Sequence, residues 1–189
     1  GDMALTLATG RTWLKAPETI RVLARGRFKP NVGAKDLSLY LCGLLGLDGA
    51  TYQAVEFHGM DWLDLDSRIT LCGMTTEVGA KAGLFPPVGE ALRGYDAPAW
   101  LGVQEGARYA RTLEVDLGTL APLAAVPPEV DHVRPVSELG DVRVDQVFIG
   151  TCTNGRLSDL QAAARILRGR KVARSVRMLV IPASHKIMR

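Results

Sequence analysis

The sequence has little of several features that mark specialised classes of protein. It contains three cysteines among 189 residues, and aromatic residues make up 6%. Three thiols are too few for a disulfide framework, which favours a reducing compartment. No window approaches the roughly 20 apolar residues of a membrane-spanning helix, and the beginning lacks the basic-then-apolar order of a secretory signal. We expect a cytoplasmic protein with no membrane partner.

A strong excess of charge of either sign is also absent. The sequence has 23 lysines and arginines against 20 acidic residues, a net charge of +3. The densest basic stretch, residues 165–177, is predicted at a helix end, where cations favour the helix dipole and water. It lacks the stacking aromatic residues that RNA-binding modules use. We therefore expect no nucleic-acid partner.

Apolar residues make up 47% of the sequence, which is enough for a buried core. Strand and helix patterns alternate along the first two thirds of the chain. We predict, in order, a strand at 19–29, a helix at 36–45 capped by Asp36, a buried strand at 52–59, a mostly helical run at 62–82 with a break at Gly73, a short helix and a loop within 88–111, and strand character at 111–126.

The prolines of "VPPEVDHVRP" indicate a linker, which divides the chain into predicted domains at 1–128 and 129–189. The strand "VDQVFIG", the helix "RLSDLQAAARILRG" and the strand "SVRMLVIPAS" then form a βαβ unit, which implies a parallel sheet. The expected fold class is α/β, with three-layer α/β/α lobes. Both ends of the chain are abrupt, and we expect them to be cuts through a larger protein.

The most informative stretch is "FIGTCTNGRLSDL", in which a strand runs into a tight turn and then a helix. This order puts Cys152 at the carboxyl end of a strand, where α/β folds place their active sites. Free amides at the start of a helix lower the pKa of a thiol. From the residues alone, Cys152 is a metal or cluster ligand, a nucleophile, or a small structural residue in a turn.

The longer segment "IGTCTNGRLSDLQAAARIL" resembles the cluster-ligand signature of the aconitase family. The segments "DMALTLATGRTWLKAPETIRV", "VGAKDLSLYLCGLLGLDGATYQAVEFHG" and "EVGAKAGLFPP" are similar to that family in the same order. The resemblance covers essentially the whole chain. Within the family, "ATYQAVEFHG" and "GRKVARSVRMLVIPAS" look most like homoaconitase large subunits of lysine biosynthesis, with 3-isopropylmalate dehydratase of leucine biosynthesis next.

The resemblance implies a hydro-lyase that isomerises a hydroxy acid by dehydration and rehydration. Cys152 is then the first of three thiolates that hold a [4Fe–4S] cluster, whose fourth iron acts as a Lewis acid. The other two thiolates are expected from a Cys-x-x-Cys pair downstream of residue 189. A small partner subunit is expected to supply the catalytic base. We therefore expect the 189-residue chain alone to be inactive and to carry no cluster.

The resemblance also assigns further site residues. Glu77 in "CGMTTEVGAKAGLF" matches a glutamate near the cluster and is the candidate catalytic residue. Asn154 and Arg156 are the candidate residues for binding a small carboxylic acid substrate. Gly73 departs from the family pattern, which usually has asparagine there, and glycine offers no side-chain hydrogen bond.

The alternative function is a non-catalytic α/β module that binds an anion at the helix start, at Thr153–Arg156. Replacement of Cys152 by serine separates the two, because an amide cradle tolerates that change and a cluster ligand does not. Cys42 and Cys72 are interpreted as small core residues and His58 as a structural histidine.

Overall fold

The computed structural model describes residues 2–89, 94–96, 98, 100–151 and 153–189. Its helices and strands are α1 (Asp2–Thr9), β1 (Thr19–Arg25), α2 (Ala34–Leu45), β2 (Ala54–His58), α3 (Leu65–Met74), β3 (Ala82–Leu84), β4 (Arg111–Asp116), β5 (Leu123–Ala125), β6 (Val133–Pro135), β7 (Gln146–Gly150), α4 (Leu157–Leu167), β8 (Arg177–Ile181) and α5 (His185–Met188). Short 3-10 helices occur at Thr75–Val78, Leu117–Thr119 and Val136–Glu138.

The first sheet is four-stranded and parallel, with the strand order β3-β2-β1-β4. β1 lies in the middle, with Thr19 paired to Ala54 on one side and Ile20 paired to Arg111 on the other. Helix α2 connects β1 to β2, and α3 connects β2 to β3. The α/β class and the mainly parallel sheet predicted from the sequence are confirmed.

The core lies between the first sheet and helices α2 and α3. Ile20, Val22 and Ala24 of β1 are buried, because alternate side chains of a strand point to the same face. Phe57 of β2 and Leu37 of α2 meet them in one hydrophobic cluster. Full burial of a large apolar side chain contributes about 1.5–3 kcal/mol, so this layer holds α3 firmly on the sheet.

The segments predicted before Gly59 are confirmed, with small shifts at their ends. β1 ends at Arg25 instead of Lys29, and α2 begins at Ala34. Asp36 caps α2 from the third helical position, where its Oδ2 accepts a hydrogen bond from the amide of Gly33 at 2.8 Å.

The helical run predicted over residues 62–82 is too long. α3 ends at Met74, the chain continues as the 3-10 helix Thr75–Val78, and β3 follows. Gly79 has a φ of 82°, a left-handed conformation that ends helices and favours glycine. The run is in two pieces, as predicted, but the break lies after Met74, one residue beyond Gly73.

An antiparallel hairpin crosses the boundary predicted after residue 128. β5 pairs with β6, with Ala125 opposite Val133, and both strands contact α2. Gly43 of that helix lies beside β6, where an added Cβ would make an ordinary contact of 3.4 Å with the Cβ of Val133. β6 therefore packs with the helix layer of the first sheet, while the division into two domains stays a prediction.

The second sheet has two parallel strands, β7 and β8, with Gln146 opposite Arg177. Helix α4 connects them, which confirms the predicted βαβ unit. Within α4, all of whose residues are described, none is buried, and Phe148 and Ile181 of the sheet are exposed. Two strands and one helix bury too little apolar surface to form a core of their own.

The remaining elements lie at the edges of this arrangement. The short helix predicted within residues 88–111 falls in part on positions 90–93, 97 and 99, outside the described residues, and residues 100–110 form turns and bends. Residues 3–9 of α1 are exposed. In the part of the chain that is described, none of the helices combines the length and the apolar character that crossing a membrane requires.

Candidate functional site

The chain turns sharply between β7 and α4 at residues 150–156, called here the cysteine turn. Cys152 itself lies outside the described residues. Gly150 has a φ of 139°, and a Cβ there would collide with the carbonyl oxygen of Ile181, so only glycine fits. Thr151 has a φ of 129°, a conformation that side-chain-bearing residues rarely adopt and that clusters at functional sites.

The cysteine turn satisfies several of its own backbone amides. The amides of Thr153 and Asn154 donate to Oγ1 of Thr151 at 3.3 and 3.2 Å. The amide of Arg156 and Nδ2 of Asn154 donate to the two carboxylate oxygens of Asp159, at 3.1 and 3.2 Å. An anion bound here would have to displace these acceptors, one of which is itself negative. The contacts therefore count against the anion-binding alternative.

A single threonine of α3 contacts three residues of the cysteine turn. Thr70 is only 2% exposed. Its hydroxyl oxygen lies 3.3 Å from the carbonyl oxygen of Thr153, 3.5 Å from Nδ2 of Asn154 and 3.2 Å from Nη1 of Arg156. Nη1 of Arg156 also donates to the carbonyl oxygen of Thr153. The turn is thereby fixed against the helix layer of the first sheet.

Asp66, one turn before Thr70 on the same helix, adds a charged contact. Its Oδ1 lies 3.6 Å from Nε of Arg156, and its Oδ2 accepts a hydrogen bond from Oγ of Ser158 at 2.5 Å. The side chain of Arg156 is 14% exposed and that of Asp66 is 42% exposed. The arginine is therefore mostly buried between α3 and the start of α4.

The predicted catalytic residue Glu77 lies further along the same helical run. It is exposed, in the 3-10 helix that directly continues α3. Gly73 is also exposed, and a Cβ added there would meet no atom within 4 Å. The position where the resemblance leads us to expect asparagine therefore has room for a larger side chain.

Cys42 and Cys72 are poorly suited to bind a metal. Burial raises the pKa of Cys42 to about 11, and the carboxylate of Glu77 adds to that effect. Burial also raises the pKa of Cys72 to about 11. Both stay protonated at neutral pH, whereas the thiolate is the metal ligand. Among the described residues, no group of three or more His, Cys, Asp or Glu is arranged to hold a metal ion.

The residues of this chain therefore fit a cluster site to which they supply a single cysteine ligand. Burial removes Cys42 and Cys72 from the possible ligands, and the sequence has no fourth cysteine. Cys152, which lies in sequence between β7 and α4, is the remaining candidate.

A second polar cluster lies at the end of β2, and the sequence did not predict it. Nε2 of His58 lies 2.6 Å from Oε1 of Glu56, and the hydroxyl of Tyr109 donates to the same oxygen at 3.0 Å. The guanidinium of Arg21 lies 4.7 Å from the centre of the Tyr109 ring. Burial, followed by the hydrogen bond to Glu56, raises the pKa of Tyr109. His58 is therefore a hydrogen-bonded structural histidine, as expected.

Comparison with known proteins identifies the family. The chain matches the aconitase family (aconitate hydratase) over residues 1–141 and 135–189. It is 53% identical to 3-isopropylmalate dehydratase large subunit 1 of Deinococcus radiodurans and 52% identical to the homoaconitase large subunit of Thermus thermophilus. Each comparison covers 99% of this chain, but 44% and 46% of the relative.

A third relative is the probable methanogen homoaconitase large subunit of Methanosarcina mazei, which is 45% identical over 99% of this chain and 49% of its own length. The chain thus spans slightly less than half the length of these curated relatives. Since the family match extends from the first residue to the last, the chain belongs to the aconitase family.

Proposed function

We propose that the full-length protein is a hydro-lyase that isomerises a hydroxy acid by removing and re-adding water, with a [4Fe–4S] cluster as cofactor. Membership of the aconitase family and relatives named dehydratase and homoaconitase support this. The structural observation that carries the proposal is that one helix, α3, contacts the cysteine turn through Thr70 and leads directly to Glu77.

The spacing along this helix is suitable for a reaction centre. Four steps along α-helix and three along 3-10 helix lead from Thr70 to Glu77, a rise of about 12 Å. The helical run therefore connects Glu77 to the contact with the cysteine turn, although the two are more than 70 positions apart in the sequence.

Each candidate residue then has a proposed role. Cys152 is a cluster ligand, and the cluster, when bound, supplies a Lewis-acidic iron. Glu77 is the catalytic residue, which hydrogen-bonds the hydroxyl group that leaves as water. Asn154 and Arg156 bind carboxylates of the substrate. The contacts of Arg156 to α3 and to Thr153 use its Nε and Nη1. A guanidinium carries five N–H donors, so those of Nη2 are left to bind a carboxylate.

The proposed enzyme needs more than this chain. Relatives carry "large subunit" in their names, and we assign the catalytic base to a small partner subunit. Two further thiolates are proposed to come from a Cys-x-x-Cys pair downstream of residue 189. The 189-residue chain alone supplies one thiolate, so it is proposed to be inactive and without a cluster.

Homoaconitate is the preferred substrate proposal, which places the enzyme in lysine biosynthesis, and 3-isopropylmalate of leucine biosynthesis comes next. The segments "ATYQAVEFHG" and "GRKVARSVRMLVIPAS" support that order. Identities of 53% and 52% to relatives of the two names do not separate them. The cytoplasmic location stays a prediction from the sequence.

The test is an anaerobic assay of the full-length protein with its small subunit. Two hydroxy acids are offered as substrates: the one that gives homoaconitate when it loses water, and 3-isopropylmalate. Formation of the unsaturated acid is followed in each case. Activity on either supports a hydro-lyase, and the ratio of kcat/KM values identifies the substrate. Absence of activity on both, with a cluster present, contradicts the proposal.

The Glu77→Gln variant tests the assignment of the catalytic residue in the same assay. We expect kcat to fall by about 10²–10⁴, the usual contribution of a positioned acid or base. Glu138, which is equally exposed in another 3-10 helix, provides the matched control Glu138→Gln. A Glu77→Gln enzyme as active as the control would remove Glu77 from the mechanism.

A further inference from the structure

We infer that Asp66 and Thr70 of helix α3 are positioning residues that hold the cysteine turn in the conformation from which Cys152 ligates a cluster. The role toward a cluster rests on the proposed function. The hold on the turn rests on the contacts alone.

The hydroxyl of Thr70 uses its full hydrogen-bonding capacity at this contact. A hydroxyl has one donor and two acceptor positions. Nδ2 of Asn154 and Nη1 of Arg156 are both placed to donate to it. Its own hydrogen has two acceptors within reach, the carbonyl oxygen of Thr153 at 3.3 Å and that of Asp66 at 3.1 Å. Because Thr70 is buried, water cannot replace these partners.

The carboxylate of Asp66 offsets the unfavourable position of the Arg156 cation at the start of α4. Arg156 occupies the cap position of α4, where the positive end of the helix dipole disfavours a cation. The carboxylate of Asp66 lies beside its Nε and also accepts from Ser158 in the first turn of α4. One side chain of α3 thus contacts the residue before α4 and a residue within it.

The backbone of the cysteine turn needs such support. The positive φ angle of Thr151 is a conformation that costs free energy in a residue with a side chain, and Gly150 before it also has a positive φ, which glycine tolerates. Such conformations persist where surrounding contacts determine them. The turn's own hydrogen bonds to Thr151 are local, whereas those to Thr70 come from a helix anchored in the core of the first sheet.

The test measures amide hydrogen exchange of the segment 150–156 in the cluster-free, full-length protein. Thr70→Val keeps the shape of the side chain and removes the hydroxyl. We expect exchange in the turn to become roughly three- to tenfold faster, the range that corresponds to one or two lost hydrogen bonds. Thr70→Ser restores the hydroxyl, and we expect it to restore slow exchange.

Thr75→Val is the matched control. Thr75 is a buried threonine at the end of the same helix, whose hydroxyl donates to the carbonyl oxygen of Cys72 and not to the turn. It should leave exchange in the segment 150–156 unchanged. Unchanged exchange in Thr70→Val, with α3 still protected, would overturn the positioning role.

The Asp66→Asn variant provides a second exchange measurement, which is needed if Thr70→Val destabilises α3 itself. It removes the charge beside Arg156 without changing the buried face of the helix. Because this ion pair is long, at 3.6 Å, and exposed on the Asp66 side, we expect about two- to threefold faster exchange in the turn. Exchange equal to that of the wild type would overturn the role of Asp66.

Cluster loading separates failure of this role from failure of the proposed function. After anaerobic reconstitution, the visible absorption of Thr70→Val should bleach faster in air than that of the wild type, and Thr70→Ser should not. If the wild type itself takes up no cluster, the proposed function fails, while the exchange measurement still decides whether α3 holds the turn.

Discussion

Oδ1 of Asp36 accepts a hydrogen bond from the backbone amide of Leu123 at 2.7 Å, and its Oδ2 accepts one from Gly33 at 2.8 Å. One carboxylate therefore caps helix α2 and also fixes the start of β5, 87 positions further along the chain. The contact attaches the β5–β6 hairpin to the helix layer that carries the rest of the core.

Replacement of Asp36 by alanine should destabilise the protein by about 1–3 kcal/mol, because two backbone donors lose a charged acceptor. The midpoint of urea unfolding of the full-length protein measures this. Asp141→Ala, at an exposed position, is the control and should change stability little. Equal stability of the two variants would show that water replaces the Asp36 carboxylate.

The pH dependence of stability should report the buried thiol of Cys42. Its pKa is raised from 9.0 to about 11 by burial, so the folded state binds the proton more tightly than the unfolded state. The stabilisation is complete below pH 9 and is lost as the pH rises from 9 through 11. The loss is on the order of 2 kcal/mol.

Cys42→Ala removes this titrating group and should flatten the fall in stability between pH 9 and pH 11, measured by urea unfolding at each pH. Lysines and tyrosines also titrate in this range, so the comparison is the difference between the two proteins. A wild type and a variant with parallel pH profiles would contradict burial of an ionisable thiol at Cys42.

Gly73 should accept asparagine without loss of stability. A Cβ at that position meets no atom, and asparagine is a better helix former than glycine by a few tenths of a kcal/mol. We expect the Gly73→Asn variant to unfold at an equal or slightly higher urea concentration. A decrease would mean that the space beside Gly73 is filled in the assembled enzyme.

Gly73→Ala separates helix propensity from side-chain chemistry. Alanine gains about 1 kcal/mol of helix propensity over glycine and offers no hydrogen bond. If an amide near the reaction centre assists the reaction, kcat/KM rises in Gly73→Asn and not in Gly73→Ala. Equal values of kcat/KM in the two variants would show that an asparagine side chain at position 73 does not assist the reaction.

The sequence predicts those elements whose own residues decide them. The alternation of Ile20, Val22 and Ala24 identifies β1, and the apolar face around Leu37 identifies α2. Strand, helix and strand after residue 144 are equally clear, and the structure confirms all of them. For β1 and α2, the burial pattern follows from the period of the element itself.

Contacts between distant segments were not predictable in this way. The end of the helical run depends on the conformation of Gly79, which caps the 3-10 helix after α3, and the hairpin across the predicted boundary depends on packing against α2. In the sequence, the segment "RITLC" does not distinguish Thr70 from an ordinary helix residue. Its partners, Asn154 and Arg156, are 84 and 86 positions away, and only the tertiary structure brings them together.

We propose that Cys152 is a cluster ligand of a hydro-lyase. The most direct test is the iron and sulfide content of the full-length protein after anaerobic reconstitution, with the Cys152→Ser and Cys72→Ser variants beside the wild type. We expect about four iron and four sulfide per chain, with a visible spectrum, in the wild type and in Cys72→Ser, and loss of both in Cys152→Ser. A Cys152→Ser protein that keeps its full iron content and spectrum would contradict the proposed role of Cys152.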